Sequence, residues 1–172
     1  RILDVLARFD ARATFFLIGE RALANEEIVR RIVEEGHEIG NHMMSDVPSV
    51  LLSRKTFLAE LAKCHEILTR FDEVTLYRPG SGWYTKRMRL DVEERGYRLC
   101  LASIYPQDTR LRSATRVARY IRRRAHPGGI LVLHDGTHSQ MRTVRVLETI
   151  LPWLSAQGYE VVTVSELRAR GA

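Results

Sequence analysis

Three times in this chain a helical apolar stripe ends in glycine, an aromatic or imidazole residue follows, and a β-prone run begins: Glu35-Gly36-His37-Glu38, Arg95-Gly96-Tyr97-Arg98 and Gln157-Gly158-Tyr159-Glu160. Glycine just past a helix supplies the left-handed turn that satisfies the last carbonyls, so each triplet predicts a helix-to-strand junction. A chain built from such junctions alternates helix and strand. Alternation implies parallel strands with right-handed crossovers, an α/β protein.

The short apolar or β-prone runs 13–18, 38–41, 75–77, 97–103, 130–133 and 160–164 are the predicted strands. Periodicity alone does not separate such runs from buried helix, and the glycine punctuation decides for strand. Helical stripes fill the gaps: Ile2, Leu3, Leu6 and Phe9; Ile28, Ile32 and Val33; Phe57, Leu58, Leu61, Cys64, Ile67 and Leu68 behind a Ser53 N-cap; Val117 and Ile121 behind Ser113; and Val144, Leu147, Ile150, Leu151 and Leu154. No linker or low-complexity tract divides the 172 residues, which read as a single domain. The chain opens at Arg1 on an amphipathic helix, so the opening strand of the βα series is expected to lie outside it.

No run of about 18 apolar residues could span a membrane, and no signal peptide is visible. A signal peptide upstream would send the protein to the cell envelope or outside the cell. Cys64 on an apolar helix face and Cys100 in a strand read as two reduced core thiols in preference to a disulfide. The net charge of +6 owes much to Arg110, Arg112, Arg116, Arg119, Arg122, Arg123 and Arg124. Such a run suits an anionic partner, nucleic acid or a charged glycan. Only Tyr120 is interleaved as a stacking ring and no nucleic-acid motif accompanies it, so a solvated helix face is favoured and no nucleic-acid partner is expected.

Four polar signatures fall where predicted strands end: Asn41 to Asp46, Arg78-Pro79-Gly80-Ser81-Gly82-Trp83, Asp108, and Leu131-Val132-Leu133-His134-Asp135-Gly136. In sheets and barrels of βα units the C-terminal strand ends carry ligand and catalytic groups, so the chain reads as an enzyme with His42, Asp46, Arg78 and His134 facing one cleft. His42 and Asp46 can reach one ion if the segment turns helically, and imidazole with carboxylate suits Zn²⁺. A surface pair or a capping Asp remains the alternative. His134 beside an apolar strand suits a general acid with a small apolar pocket, or a His merely hydrogen-bonded at a loop start. His37, His65 and His126 read as packing or surface residues. His138 shares the His134 loop.

The stretches Gly36-His37-Glu38-Ile39-Gly40-Asn41-His42, Arg78-Pro79, Leu131-Val132-Leu133-His134-Asp135 and residues 158–167, with 13–19, together resemble the polysaccharide deacetylase family, also called the NodB-homology or carbohydrate esterase 4 family. The resemblance runs in order over nearly the whole chain. It implies a distorted (β/α) barrel of about seven strands, the first missing here, and a metal-dependent hydrolase that removes acetyl groups from an N-acetylated glycan, chitin- or peptidoglycan-like.

Residue by residue, the resemblance implies His42 as a metal ligand, with Asp46 standing where the family has a second His. A third ligand and the catalytic base would come from the family's opening Thr-Phe-Asp-Asp motif, which neither Asp4 nor Asp10, both assigned to the first helix, replaces. Arg78 matches the arginine that pairs with that base, and Ser81 replaces an aromatic in its loop. Asp108 matches the second Asp of the fourth motif, while Tyr105 stands where the first would be, so the carboxylate that tunes the imidazole is expected to be lacking. His134 matches the general acid, Leu131 and Leu133 wall the acetate methyl, and Trp83 offers a ring to the sugar. Zn²⁺ is the implied metal and an acetylated carbohydrate the implied partner. A catalytically silent glycan-binding relative, or a deacetylase of an O-acetyl ester or small amide, is the alternative.

Overall fold

In the computed structural model, which describes residues 1–136 and 140–171, all three predicted junction glycines turn left-handed, with φ of 75° at Gly36, 79° at Gly96 and 78° at Gly158. At each the following N–H reaches back to close the helix, His37 to Ile32, Tyr97 to Val92 and Tyr159 to Leu154. The two backbone bonds at each end satisfy carbonyls the helix leaves open. The chain groups into two compact units, residues Thr14–Leu101, and Arg1–Ala13 with Ala102–Ala172.

The first unit carries a parallel sheet in the order β1 (Thr14–Leu17), β2 (Glu38–Asn41), β3 (Leu76–Tyr77) and β4 (Arg98–Leu99). Thr14 pairs with Glu38, Asn41 with Tyr77, and Tyr77 with Leu99, so the C-terminal ends of β1, β2 and β3 lie in register. Helices α2 (Gly19–Leu23) and α3 (Glu26–Glu34) connect the first pair, α4 (Arg54–Leu68) the second and α5 (Lys86–Glu93) the third. Ser53 caps α4 as expected, its Oγ accepting from the Thr56 N–H at 3.1 Å. Phe57, Leu61, Cys64, Ile67 and Leu68 then bury one face. In α3 the buried pair is Val29 and Ile32, and Ile28 points outward at 54% exposure. Both cysteines are free and buried, with burial pushing the Cys64 thiol up to about 12.

The second unit comprises α1 (Ile2–Arg8), α6 (Ala114–Arg124), α7 (Gln140–Ala156) and α8 (Val164–Ala169). Asp10 lies beyond the end of α1, in a left-handed turn with φ of 49°. Two predicted strands are not strands. Residues 130–133 form a single parallel bridge, Leu131 to Ile104, that does not extend into a ladder. Residues 160–163 are tied by the Arg12 N–H to the Val161 carbonyl at 2.9 Å. Val164, expected to end that strand, begins α8, since Thr163 and Glu166 form a reciprocal capping box that starts the helix there. The expected strand 97–103 is likewise cut to Arg98–Leu99.

Asp91 on α5 is a buried carboxylate held by Arg54 at 2.8 Å and Arg87 at 3.2 Å. The hydrogen bond from Arg54 holds its carboxyl below the usual range against the cost of burial, helped by the charges of Arg54, Arg87 and Arg95. A depressed folded pKa stabilises the fold above the ordinary carboxylate value of about 3.9, and that stabilisation is lost as pH falls through the folded value. Asp91→Asn is therefore expected to be less stable than wild type at pH 7, with the gap closing in strong acid. Denaturant titrations at pH 7 and on the acid side of the transition check this, and a gap independent of pH would contradict it.

Candidate active site

The first cluster is built at the ends of β1, β2 and β3. Asn41, the last residue of β2, is fully buried and spends its whole amide. Its Nδ2 donates to the Leu61 carbonyl at 3.0 Å and to the Tyr97 hydroxyl at 2.9 Å, and its Oδ1 accepts from the Met43 N–H at 2.9 Å. Tyr97, already an acceptor, sends its own proton to His65 Nδ1 at 2.6 Å. Met43 is left-handed at φ 69° and buried. Such a conformation is costly for a non-glycine residue and persists only where its surroundings fix it. Here the Asn41 amide does so, and the turn sets the direction of His42.

His42 is anchored by its N–H to the Leu17 carbonyl at 3.0 Å, and its Nδ1 lies 2.6 Å from the Arg78 carbonyl. A carbonyl only accepts, so Nδ1 carries the proton and the neutral ring keeps its lone pair on Nε2. That tautomer, fixed by a backbone carbonyl, is the one metal-ligating imidazoles commonly adopt. Asp46 does not complete a site with it: its exposed carboxylate pairs with Arg21 at 2.9 Å. Among the described residues no group of three or more His, Cys, Asp or Glu could hold a metal. His42 thus has the donor chemistry for a divalent ion, and the donor set around it is incomplete.

Arg78 follows β3. Its Nε donates to the Cys100 carbonyl at 3.2 Å and its Nη2 approaches Cys100 Sγ at 3.4 Å. Its guanidinium lies 4.0 Å from the centre of the Phe16 ring. That ring occupies the space a side chain at Gly40 would need, since a Cβ there would come within 2.7 Å of Phe16 Cδ1. Among the described residues Arg78 forms no ion pair, so a half-buried cation is held by neutral partners. Beyond it, Ser81 and Gly82 are left-handed, and Trp83 and Tyr84 are 65% and 40% exposed.

The second cluster lies in the other unit. Buried Asp108 accepts the His134 N–H at 2.7 Å through Oδ2 and faces His134 Nδ1 at 2.9 Å through Oδ1. The imidazole therefore does have a carboxylate partner, contrary to the expectation drawn from Tyr105. The bridge between Ile104 and Leu131 brings the two following loops side by side, so a carboxylate four positions past Ile104 reaches an imidazole three past Leu131. Tyr105 instead packs its ring edge-on to His134, with centroids 6.2 Å apart. Thr143 Oγ1 donates to the His134 carbonyl at 2.6 Å, and Leu131 and Leu133 are half-buried on either side of Val132. With the Nδ1 proton turned to a carboxylate, the lone pair of the singly protonated ring lies on Nε2.

His37 is buried edge-on to Phe15, and His126 is exposed with Nδ1 near the Pro127 carbonyl. His138 lies outside the described residues. His65, read as packing, joins the polar chain through Tyr97 to Asn41. No linear signal marks that role, because its partner is 32 residues away.

The sequence profile described as Polysaccharide deacetylase matches residues 1–100. A peptidoglycan-N-acetylglucosamine deacetylase of Bacillus cereus is 34% identical over 170 residues, covering 97% of this chain and 80% of that protein. The peptidoglycan-N-acetylglucosamine deacetylase PgdA of Listeria monocytogenes is 31% identical, and the chain spans 35% of its length. Among solved structures, the Bc1960 peptidoglycan N-acetylglucosamine deacetylase superposes with a TM-score of 0.91 at 30% identity, over 96% of this chain and 79% of that one. BA3943 of Bacillus anthracis, a CE4 family pseudoenzyme, superposes with a TM-score of 0.89 at 25% identity, over 96% of this chain and 58% of that one. A profile match over more than half the residues, a sequence relative that the chain nearly spans, and a parallel α/β fold ending in imidazole and arginine clusters agree: the chain belongs to the polysaccharide deacetylase (carbohydrate esterase 4) family of (β/α)-barrel hydrolases.

Proposed function

We propose that the protein hydrolyses the acetamide of an N-acetylated glycan of the peptidoglycan or chitin kind, releasing acetate and a free amine. The observation that supports this reading is the Asp108 to His134 pair: the carboxylate accepts the Nδ1 proton, so Nε2 is the position that takes up a proton and, in the doubly protonated ring, gives it to the leaving nitrogen. An amide nitrogen does not depart as an anion, so cleavage of the C–N bond needs a proton delivered as the bond breaks. His134 delivers it. Arg78, held by neutral partners, balances the negative charge that the base or the oxyanion brings. Leu131 and Leu133 offer the acetate methyl an apolar wall, and Trp83 a ring face to the sugar.

His42, and Asp46 if it leaves Arg21, would hold a divalent cation, with imidazole and carboxylate donors favouring Zn²⁺. When bound, such an ion supplies a water acidic enough to attack at neutral pH. His42→Ala should lower zinc affinity at least about tenfold, since even groups that only orient a ligand are worth about 10–100-fold. Zinc retained after dialysis measures this directly. Unchanged retention would remove His42 from the ligand set.

A catalytically silent, glycan-binding protein is the second reading, favoured by the exposed Asp46 to Arg21 pair and by exposed Trp83 and Tyr84. Acetate release decides between them, with an N-acetylglucosamine oligomer, peptidoglycan and O-acetylated xylan as separate substrates. Release from the first two supports amide deacetylation, release from xylan alone points to an esterase, and binding without release supports the silent reading.

A further inference from the structure

We infer that the exposed face of α6 is a docking surface for the carboxylates of an acidic glycan strand; the choice of polymer rests on the function proposed above. Residues 109–134 contain Arg110, Arg112, Arg116, Arg119, Arg122, Arg123 and Arg124 and not one Asp or Glu. Helix α6 buries Val117, Ala118 and Ile121. At helical spacing Arg116, Arg119 and Arg123 form one stripe on the opposite side, all exposed, and about 10 Å long from the rise per residue.

Among the described residues, the arginines of this unit that form ion pairs are Arg1, through its terminal amine, Arg8, Arg12 and Arg170. Among the described residues none of the seven has a carboxylate partner. Like charges three and four apart on a helix repel, so this face is one that an external anion relieves. Guanidinium forks take carboxylates in a bidentate manner. Two neighbouring rings are already covered, Trp153 by Arg122 at 5.7 Å and Tyr120 by Arg124 at 5.9 Å. Each of these rings already offers one face to a guanidinium, which disfavours stacking of single-stranded nucleic acid. Peptidoglycan carries free carboxylates on its stem peptides, and on lactyl groups that bear no peptide, whereas chitin carries none.

The test is co-sedimentation of wild type and the triple variant R116E/R119E/R123E with peptidoglycan sacculi, carboxyl-amidated sacculi and insoluble chitin, with a random DNA duplex as soluble competitor. Wild type should bind sacculi at least about tenfold better than chitin, with an affinity that falls as salt rises. Charge reversal and amidation should each remove that advantage. The variant R116Q/R119Q/R123Q, which adds no repulsion, should lose most of it too, and melting curves check that both variants fold. Equal binding of the variants and wild type, or DNA that displaces sacculi at the same salt with higher affinity, overturns the inference. Acetate release from a neutral N-acetylglucosamine oligomer, expected unchanged in both variants, reads the catalytic proposal separately. Lost sacculus binding in a protein that releases no acetate leaves this surface standing and removes the enzyme reading, and the converse result removes the surface alone.

Discussion

Replacing His134 by alanine is expected to cut acetate release from an N-acetylglucosamine oligomer by about 10²–10⁴-fold, the usual worth of a positioned general acid. Because His134 belongs to a different cluster from His42, zinc retention should stay near that of wild type. The loss should appear in kcat more than in KM, since a proton delivered to the departing nitrogen matters only as the bond breaks. Asp108→Asn tests the support beneath it. The amide keeps the shape and one acceptor, yet its nitrogen faces a partner that also donates, so the imidazole loses the carboxylate that fixes its tautomer. The variant should fall in kcat in the same direction, and the double variant should be little worse than His134→Ala alone, because the two act as one unit. Full activity in His134→Ala would remove the imidazole from the mechanism, and additive losses would separate Asp108 from it.

Local features of the fold were legible and long-range ones were not. The junction glycines could be read because a left-handed turn after a helix is a demand of the backbone itself, met at Gly36, Gly96 and Gly158 alike. Strand β2 matches its expected span, Glu38–Asn41, although only Ile39 is strongly β-prone, because it follows directly on such a turn and pairs with β1 on one side and β3 on the other. The runs at 130–133 and 160–163 are richer in β-branched residues than β2, but a strand exists only where a neighbour runs beside it, and among the described residues the first makes one bridge and the second is tied by the Arg12 N–H. At the site, His42, Arg78 and His134 stood out as polar residues following apolar runs. The partnership of Asp108 with His134 did not, because it spans 26 residues and depends on the Ile104 bridge. Asp46 has the spacing from His42 for one ion, and its carboxylate pairs with Arg21 on α2, a contact that no local spacing announces.

Asn41→Leu should be the most destabilising change near the site that touches no proposed catalytic group. Leucine keeps the branching and heavy-atom count without a polar atom, so the effect comes chiefly from lost hydrogen bonds, with some overpacking added. The Met43 N–H, in a residue 1% exposed, loses its only named acceptor, and a buried unsatisfied group costs about 1–3 kcal/mol. The left-handed Met43 turn then loses what fixes it, and relaxing φ from 69° swings His42 away from the Arg78 carbonyl. A total of about 2–4 kcal/mol is expected, which for a chain of this size lowers Tm by roughly 5–15 °C. Tyr97→Phe should cost less, about 1 kcal/mol, because Asn41 keeps the Leu61 carbonyl and the Met43 N–H. Burial pushes the Tyr97 hydroxyl up to about 12, against the hydrogen bond from Asn41, so it remains a neutral donor to His65 across the working range of pH. Zinc retention, measured at a temperature where both variants are folded, separates positioning from stability. Asn41→Leu should lose zinc as His42→Ala does, and Tyr97→Phe should keep it. An Asn41→Leu protein that melts with wild type, or one that melts early yet holds zinc normally, would mean that the amide does not orient His42.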